Sequence, residues 1–186
     1  MYKRPGFTLL EILVAIAIIG LLATVVVPNI FPDRPREERE KFIDKLNALM
    51  SFAWQNSMFT EKVHEVTFSF KKRIVSLKLE GEKDKYGKAQ YRPVQRAYVK
   101  TEIEIPKQFE FRNFYVNSKG TKMIDAMPKA KDGEAYFYIV PDGLSQEVII
   151  NFLDSKDLVV RKKRPFGLVL NPFTVQFEVY EEFKRP

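Results

Sequence analysis

Residues Phe7 to Val27 read FTLLEILVAIAIIGLLATVVV, a run of 21 residues with one charged side chain, Glu11, and two hydroxyls, Thr8 and Thr24. As a helix the run is about 31 Å long, which matches a bilayer hydrocarbon core of about 30 Å. It is apolar on every side, so it needs either lipid or a complete protein shell around it. A buried core helix is one alternative, although a chain of 186 residues offers little material for such a shell. A secretory signal peptide is another, since Lys3 and Arg4 make a short positive leader. Against that reading, the run exceeds the usual apolar region of about 7–15 residues and no A-x-A-like site closes it. Lys3 and Arg4 favour a cytoplasmic amino terminus by the positive-inside rule, while Arg34, Arg36 and Arg39 beyond the run weaken that vote.

Glu11 is the anomaly, because a carboxylate in a spanning helix costs about 2.5–3.5 kcal/mol when central and less near an end. It is either tolerated near the helix end or paired with a cation in the membrane. The segment Lys3-Arg-Pro-Gly-Phe-Thr-Leu-Leu-Glu11 resembles the processing motif of type IV pilins and type II secretion pseudopilins. The resemblance implies that a prepilin peptidase cuts after Gly6 and that the new amino terminus of Phe7 is N-methylated. It also gives Glu11 a partner, the cationic amine of Phe7 on a neighbouring subunit. In low dielectric such a pair attracts strongly, and either member left alone is heavily penalised. Gly20 and Pro28 fall where helices of this family carry a weak point and a kink.

Beyond the run, Pro32 and Pro35 predict a break, with Asp33 as a cap for a new helix. Phe42, Leu46, Leu49, Met50 and Ala53 recur at helical spacing, with Trp54 beside them, and predict an amphipathic helix over about 34–60. After Lys62 the period becomes two. His64, Val66, Phe68 and Phe70, then Val75, Leu77 and Leu79, predict a hairpin around Lys71–Arg73. The reading continues with a charged loop over 80–93, a strand over 99–105, another over 109–116 and a loop over 123–133. A strand over 135–140 then turns at Pro141-Asp142-Gly143 into a returning strand over 148–153. Short strands over 158–161 and 168–170 and a last one over 175–183 complete it.

Strands at short spacing with no helix between them indicate an antiparallel sheet structure. The fold expected is α+β and pilin-like: a long amino-terminal hydrophobic helix, kinked near 28–35, packed on an antiparallel β-sandwich-like domain. Its parts are a leader over 1–6, a transmembrane and filament-core helix over 7–28, a linker with amphipathic helix over 29–60, and a β-rich periplasmic domain over 61–186. This order, with the Phe137-to-Gly143 turn, resembles the H-type minor pseudopilins and related minor pilins. The G-type pattern of a calcium loop near the carboxyl terminus is not matched by any run of Asp and Asn there, so no metal site is expected.

Composition narrows the chemistry. There are 31 basic and 24 acidic residues, no Cys, and one His, His64. Thiol nucleophiles, disulfides, zinc ribbons and iron–sulfur sites are excluded, and no acid pair or Gly-rich phosphate loop suggests an enzyme or a cofactor. His64 reads as a packed or edge histidine. The run Arg161-Lys162-Lys163-Arg164 beside Phe166 is a candidate for binding DNA or another anion, weighed against a solvated turn or a surface facing anionic lipid. The family resemblance implies other pilins or pseudopilins as filament partners, a prepilin peptidase and an inner-membrane assembly platform. It implies a single-pass inner-membrane protein with a periplasmic domain, and it serves secretion and pilus systems equally.

Overall fold

In a computed structural model of the 186-residue chain, the described residues are 8–30, 34–94, 100–117, 123–126, 133–159 and 162–186. Two compact units are separated between Glu37 and Glu38. The first contains helix α1, Leu9–Ile30. The expected break at Pro32 and the cap at Asp33 lie outside the described residues. Helix α2 spans Arg34–Thr60, as the apolar spacing predicts.

From Glu38 on, α2 belongs to the second unit, Glu38–Pro186. Phe42, Ile43, Leu46, Leu49, Met50 and Ala53 are all buried. The apolar stripe expected of a helix over 34–60 thus packs on the sheets, within the expected α+β arrangement.

Among the described residues ten strands form two antiparallel sheets. They are β1 His64–Ser69, β2 Ile74–Lys83, β3 Ala89–Pro93, β4 Glu102–Glu104, β5 Phe109–Asn117, β6 Met123–Asp125, β7 Glu134–Ile139, β8 Val148–Val159, β9 Lys162–Asn171 and β10 Gln176–Tyr180. One sheet runs β3-β2-β1-β7, with β4 also on β2; the other runs β10-β9-β8-β5-β6. Side chains from α2 and both sheets share one core. Phenylalanines join the layers: Phe42 of α2 meets Phe109 at 5.6 Å, Phe109 meets Phe166 at 5.1 Å, and Phe166 stacks on Phe152 at 5.1 Å.

Several boundaries differ from expectation. Residues 80–93 form a hairpin rather than a loop, because β2 continues to Lys83 and pairs with β3. Both faces of that extension are polar, so no alternation marks it. The strand expected over 99–105 is only Glu102–Glu104, with Val99 outside the described residues. Met123–Asp125 is a strand rather than loop, pairing with the end of β5.

The returning strand over 148–153 does not pair with β7. The turn at Gly143, at φ 79°, instead passes the chain to the other sheet, where β8 pairs with β5 and β9. The indole N–H of Trp54 donates to the Gly143 carbonyl at 2.8 Å, and the Ser57 hydroxyl donates to the Val140 carbonyl at 3.3 Å. Alternation alone does not reveal which sheet receives a strand.

Strands expected to be separate at 148–153 and 158–161 are one, β8, carrying a register shift between Asp154 and Leu158. One carboxylate oxygen of Asp154 accepts the backbone N–H groups of Lys156 and Asp157 at 3.0 and 3.2 Å. An Asp turning its own backbone reads as a strand end in sequence, yet here it stabilises a bulge.

Side-chain amides close what the ladders leave open. Asn47 of α2 accepts the Phe177 N–H at 2.8 Å and donates to the Phe177 carbonyl at 3.1 Å, standing in for a neighbouring strand on the edge of β10. Asn151 makes the same pair of bonds with Lys184, holding the carboxyl-terminal segment against the sheet.

His64 is fully buried. Its Nδ1 lies 3.0 Å from the Lys62 carbonyl and its Nε2 lies 2.8 Å from the Asn56 amide nitrogen. A carbonyl only accepts and an amide nitrogen only donates, so the partners assign the neutral tautomer with its proton on Nδ1. Burial pushes the imidazole pKa below its ordinary value, with the Lys62 bond opposing weakly. The unfolded chain then binds the proton more readily than the folded one. Stability from this site is complete above about pH 6.5 and is lost as pH falls from there towards the depressed folded value. Unfolding free energy measured between pH 8 and 5 is expected to fall with a slope of up to about 1.4 kcal/mol per pH unit, and His64→Gln is expected to flatten that slope. An unchanged slope in the variant would contradict the assignment.

Candidate functional site

The candidate site is the start of α1. Thr8 precedes the first helical residue, and its carbonyl accepts the N–H groups of Glu11 and Ile12 at 3.1 and 3.2 Å. Its hydroxyl oxygen accepts the Glu11 N–H at 3.3 Å, while a Glu11 carboxylate oxygen accepts the Thr8 N–H at 3.4 Å. This is a reciprocal capping box, in which Thr at the cap and Glu three residues on satisfy donors that the first turn leaves open. The negative charge also stands at the positive end of the helix dipole. The T-x-x-E spacing is present in the sequence, where Glu11 reads as a charge in an apolar run and as a motif position, without its capping role. Thr8 is therefore the residue missed.

Glu11 is exposed, and the other described charged side chains are absent from α1. The carboxylate can accept hydrogen bonds from a cation at the helix start while retaining its bond to Thr8, since an ionised carboxylate has about four acceptor sites. Gly6 and Phe7, the expected cleavage and methylation positions, lie outside the described residues.

The rest of α1 presents unshielded apolar surface. Leu9 is 80% exposed and Leu21 69%, and Leu10, Leu13, Ile16 and Ile19 are also exposed. Thr24 satisfies its hydroxyl within the helix, donating to the Leu21 carbonyl at 2.7 Å. Gly20 lies inside the helix, and a Cβ there would meet nothing within 4 Å. The helix also runs past Pro28, whose side chain lies outside the description. Among the described residues no helix is long and apolar enough to cross a membrane. Side chains of α1 are described without a gap only from Leu9 to Leu22, short of the roughly 20 residues that a span needs.

The other candidate, the basic run, is drawn into ion pairs. Lys163 pairs with Glu110, and Arg164 pairs with Asp157 at 3.1 Å and Glu181 at 2.8 Å. Lys162 is exposed, and Arg161 lies outside the described residues. Phe166 is buried beneath the Arg39 guanidinium, 5.5 Å from its ring centre, and offers no face to a nucleotide base. Among the described residues no group of three His, Asp or Glu could hold a metal ion. A groove of about 600 Å³ between α2 and β4 is lined by Lys45, Ala48, Leu49, Lys100, Glu102, Ile103 and Glu104. It contains no nucleophile with an adjacent base.

Comparisons with known proteins match this same amino-terminal segment. Residues 1–27 match the prokaryotic N-terminal methylation motif. Type II secretion system core protein G of Klebsiella pneumoniae is 47% identical over 49 residues, covering 26% of this chain and 35% of that one. The protein of that name from Vibrio cholerae is 36% identical over 63 residues, covering 32% and 43%. The type IV major pilin protein PilA of Myxococcus xanthus is 39% identical over 60 residues, covering 32% and 26%. The aligned part of this chain thus spans less than half the length of these relatives. Among solved structures, the minor pseudopilin EpsH from the type 2 secretion system of Vibrio cholerae gives a TM-score of 0.49 at 7% identity, over 80% of this chain and 98% of that one. The amino-terminal segment of the chain is thus similar to those of type II secretion core protein G and a type IV major pilin, and carries the N-terminal methylation motif.

Proposed function

We propose that this chain is a structural subunit of a type II secretion pseudopilus, a minor pseudopilin, and not an enzyme. The observation that carries the reading is the amino-terminal segment. A basic leader, Gly6-Phe7, a Thr8–Glu11 capping box and an apolar helix stand in one methylation-motif match over residues 1–27. The name of the Klebsiella and Vibrio relatives favours secretion. The minor subtype is supported by the order of elements, in which described strands follow α2 with no further helix.

In this account the run Phe7–Val27 anchors the chain in the inner membrane, with its amino terminus cytoplasmic and residues from Glu38 onward in the periplasm. A prepilin peptidase removes Met1–Gly6, which takes the formal side-chain charge from +7 to +5 by losing Lys3 and Arg4. An assembly platform then moves the helix from lipid into a filament, where neighbouring helices cover its apolar surface. Gly20 and Pro28 serve as its hinge positions.

The match to a type IV major pilin supports a second reading, a minor pilin acting in pilus assembly, adhesion or DNA uptake. Deleting the gene discriminates the two. Loss of protein export with pili intact supports the first, and loss of pili with export intact supports the second. A Gly6→Ala chain is expected to remain at precursor size and to leave the deletion uncomplemented. Normal cleavage of that variant, read on a gel and by its amino-terminal peptide, would contradict the processing site.

A further inference from the structure

The outward face of the sheet that contains β1 is polar and partly recessed. Val66, Phe68, Val75, Leu77, Ala135 and Phe137 point into the core, so their neighbours along each strand point out. The registers set those neighbours in rows. Glu104, Ile74, Ser69 and Glu134 form one row, and Glu102, Ser76, Thr67 and Tyr136 the next. Pro93, Lys78, Glu65 and Tyr138 form the third. Strands lie about 4.8 Å apart, so a row of four crosses about 14 Å. Glu65, Thr67 and Ser69 are buried although they point outward.

Tyrosines wall the third row. Tyr138 meets Tyr91 of β3 and Tyr136, each at 5.5 Å between ring centres. Beside them Glu65 accepts from the Thr67 hydroxyl at 3.0 Å and pairs with Lys78 at 3.2 Å. Burial and the Glu65 carboxylate push the Tyr138 pKa above its ordinary value, and burial, Glu80 and Glu65 do the same for Tyr91. Both phenols therefore stay protonated at neutral pH. Tyr136 is 50% exposed, so its ring is open to a ligand.

Ser69, Lys72, Ser76, Lys78, Glu102 and Glu134 line a trough of about 410 Å³ on this face. Among the described residues the Ser69 and Ser76 hydroxyls form no hydrogen bond, and Lys72, Glu102 and Glu134 form no ion pair. The trough thus offers hydroxyl and ammonium donors beside carboxylate acceptors. An anionic ligand would meet Glu80, Glu102, Glu104 and Glu134 against Lys71 and Lys72, since Lys78 is already paired. A polycation brings only donors, and would oppose Lys72 without giving it an acceptor. An uncharged ligand whose groups both donate and accept satisfies every side chain. A sugar has such hydroxyls, and the C–H faces of its ring pack on an aromatic side chain.

We propose that this trough binds an uncharged oligosaccharide, with one sugar ring against Tyr136 and its hydroxyls bonded to Ser69, Ser76, Glu102 and Glu134. The site lies within the Glu38–Pro186 unit and does not depend on leader cleavage or filament entry.

The probes are cellotetraose and the tetramer of N-acetylglucosamine, both uncharged. Each is added to purified full-length chain in a sugar-free zwitterionic detergent. Saturation-transfer NMR reads the ring C–H protons of the ligand, and its titration gives the Kd. Transfer to at least one tetramer is expected. Tyr136→Ala is expected to weaken binding three- to tenfold, and Ser69→Ala with Ser76→Ala about tenfold through two lost hydrogen bonds. Tyr86, 94% exposed on the β2–β3 turn, is the control, and Tyr86→Ala is expected to leave the Kd unchanged. Urea unfolding midpoints equal to wild type for Tyr136→Ala and Tyr86→Ala keep a lost contact distinct from a lost fold.

No transfer to either tetramer at millimolar concentration would overturn the proposal, as would a Kd indifferent to Tyr136→Ala and to the paired serine change. Tighter binding of an end-blocked tetra-alanine peptide would assign the trough to peptide backbone and overturn it equally. Because binding is read on the purified chain, each of these results leaves the filament-subunit reading untouched.

Discussion

A Glu11→Val chain is expected to be cleaved like the wild type and to be missing from the filament. In the proposed account, cleavage after Gly6 would leave a cationic amine on Phe7, four residues before Glu11 in the sequence. Burying that amine among apolar helices without an acid costs about 3–5 kcal/mol, the penalty of breaking a buried pair. At about 1.4 kcal/mol per factor of ten, incorporation falls by roughly two to four orders of magnitude.

The capping box complicates a simple reading of that result, because Val removes the bond to the Thr8 N–H as well as the charge. Glu11→Gln separates the two effects. Glutamine can keep the box, since Gln also serves at this capping position, but carries no charge. If the charge is what assembly needs, Gln fails as Val does, and Thr8→Ala, which removes the hydroxyl side of the box, costs only about 0.5–2 kcal/mol of helix stability. If Gln assembles normally and Thr8→Ala does not, Glu11 acts as a cap and the pairing account is wrong. Filament-associated chain, sheared from cells and quantified by immunoblot against the cell-bound pool, reads each variant.

The second large effect is on stability. Phe152 is fully buried, stacks on Phe166 at 5.1 Å with the rings 13° from parallel, and meets Phe109, Phe111 and Phe42 at 6.1, 4.6 and 6.5 Å. It therefore joins α2 to the second sheet. Phe152→Ala is expected to destabilise the Glu38–Pro186 unit by about 3–5 kcal/mol, from lost burial plus the cavity left behind. Domains of ordinary stability hold only about 5–15 kcal/mol, so a large part of the reserve is lost. Phe173, at 74% exposure, is the control, and Phe173→Ala is expected to change stability by less than about 0.5 kcal/mol. Urea unfolding followed by Trp54 fluorescence measures both. Similar midpoints for the two variants would contradict the core assignment.

The elements legible in the sequence are those whose apolar spacing is set by a single buried face. Phe42, Leu46, Leu49 and Met50 announced α2, and Val66 with Phe68 announced β1. What stayed hidden depends on partners distant in the chain. The Gly143 turn looks like a hairpin until Trp54 and Ser57 are seen holding it where the chain leaves one sheet for the other. The β2–β3 extension has no apolar face to mark it. Asp154 looks like a strand end because its local hydrogen bonds would serve a turn equally well.

The functional site divides in the same way. The methylation-motif match over residues 1–27 is local and readable, and the Thr8–Glu11 capping box is readable from its spacing. The acids that pair with the basic run, Glu110, Asp157 and Glu181, lie elsewhere in the sequence and come together with Lys163 and Arg164 only in the fold.

If this chain is processed and assembled as a prepilin, the mature protein begins at Phe7. Mass spectrometry of the chain recovered from its own cells is predicted to find an amino-terminal peptide beginning at Phe7 and carrying one added methyl group. A peptide that retains Met1–Gly6, or one that begins beyond the apolar run after Val27, would contradict the account.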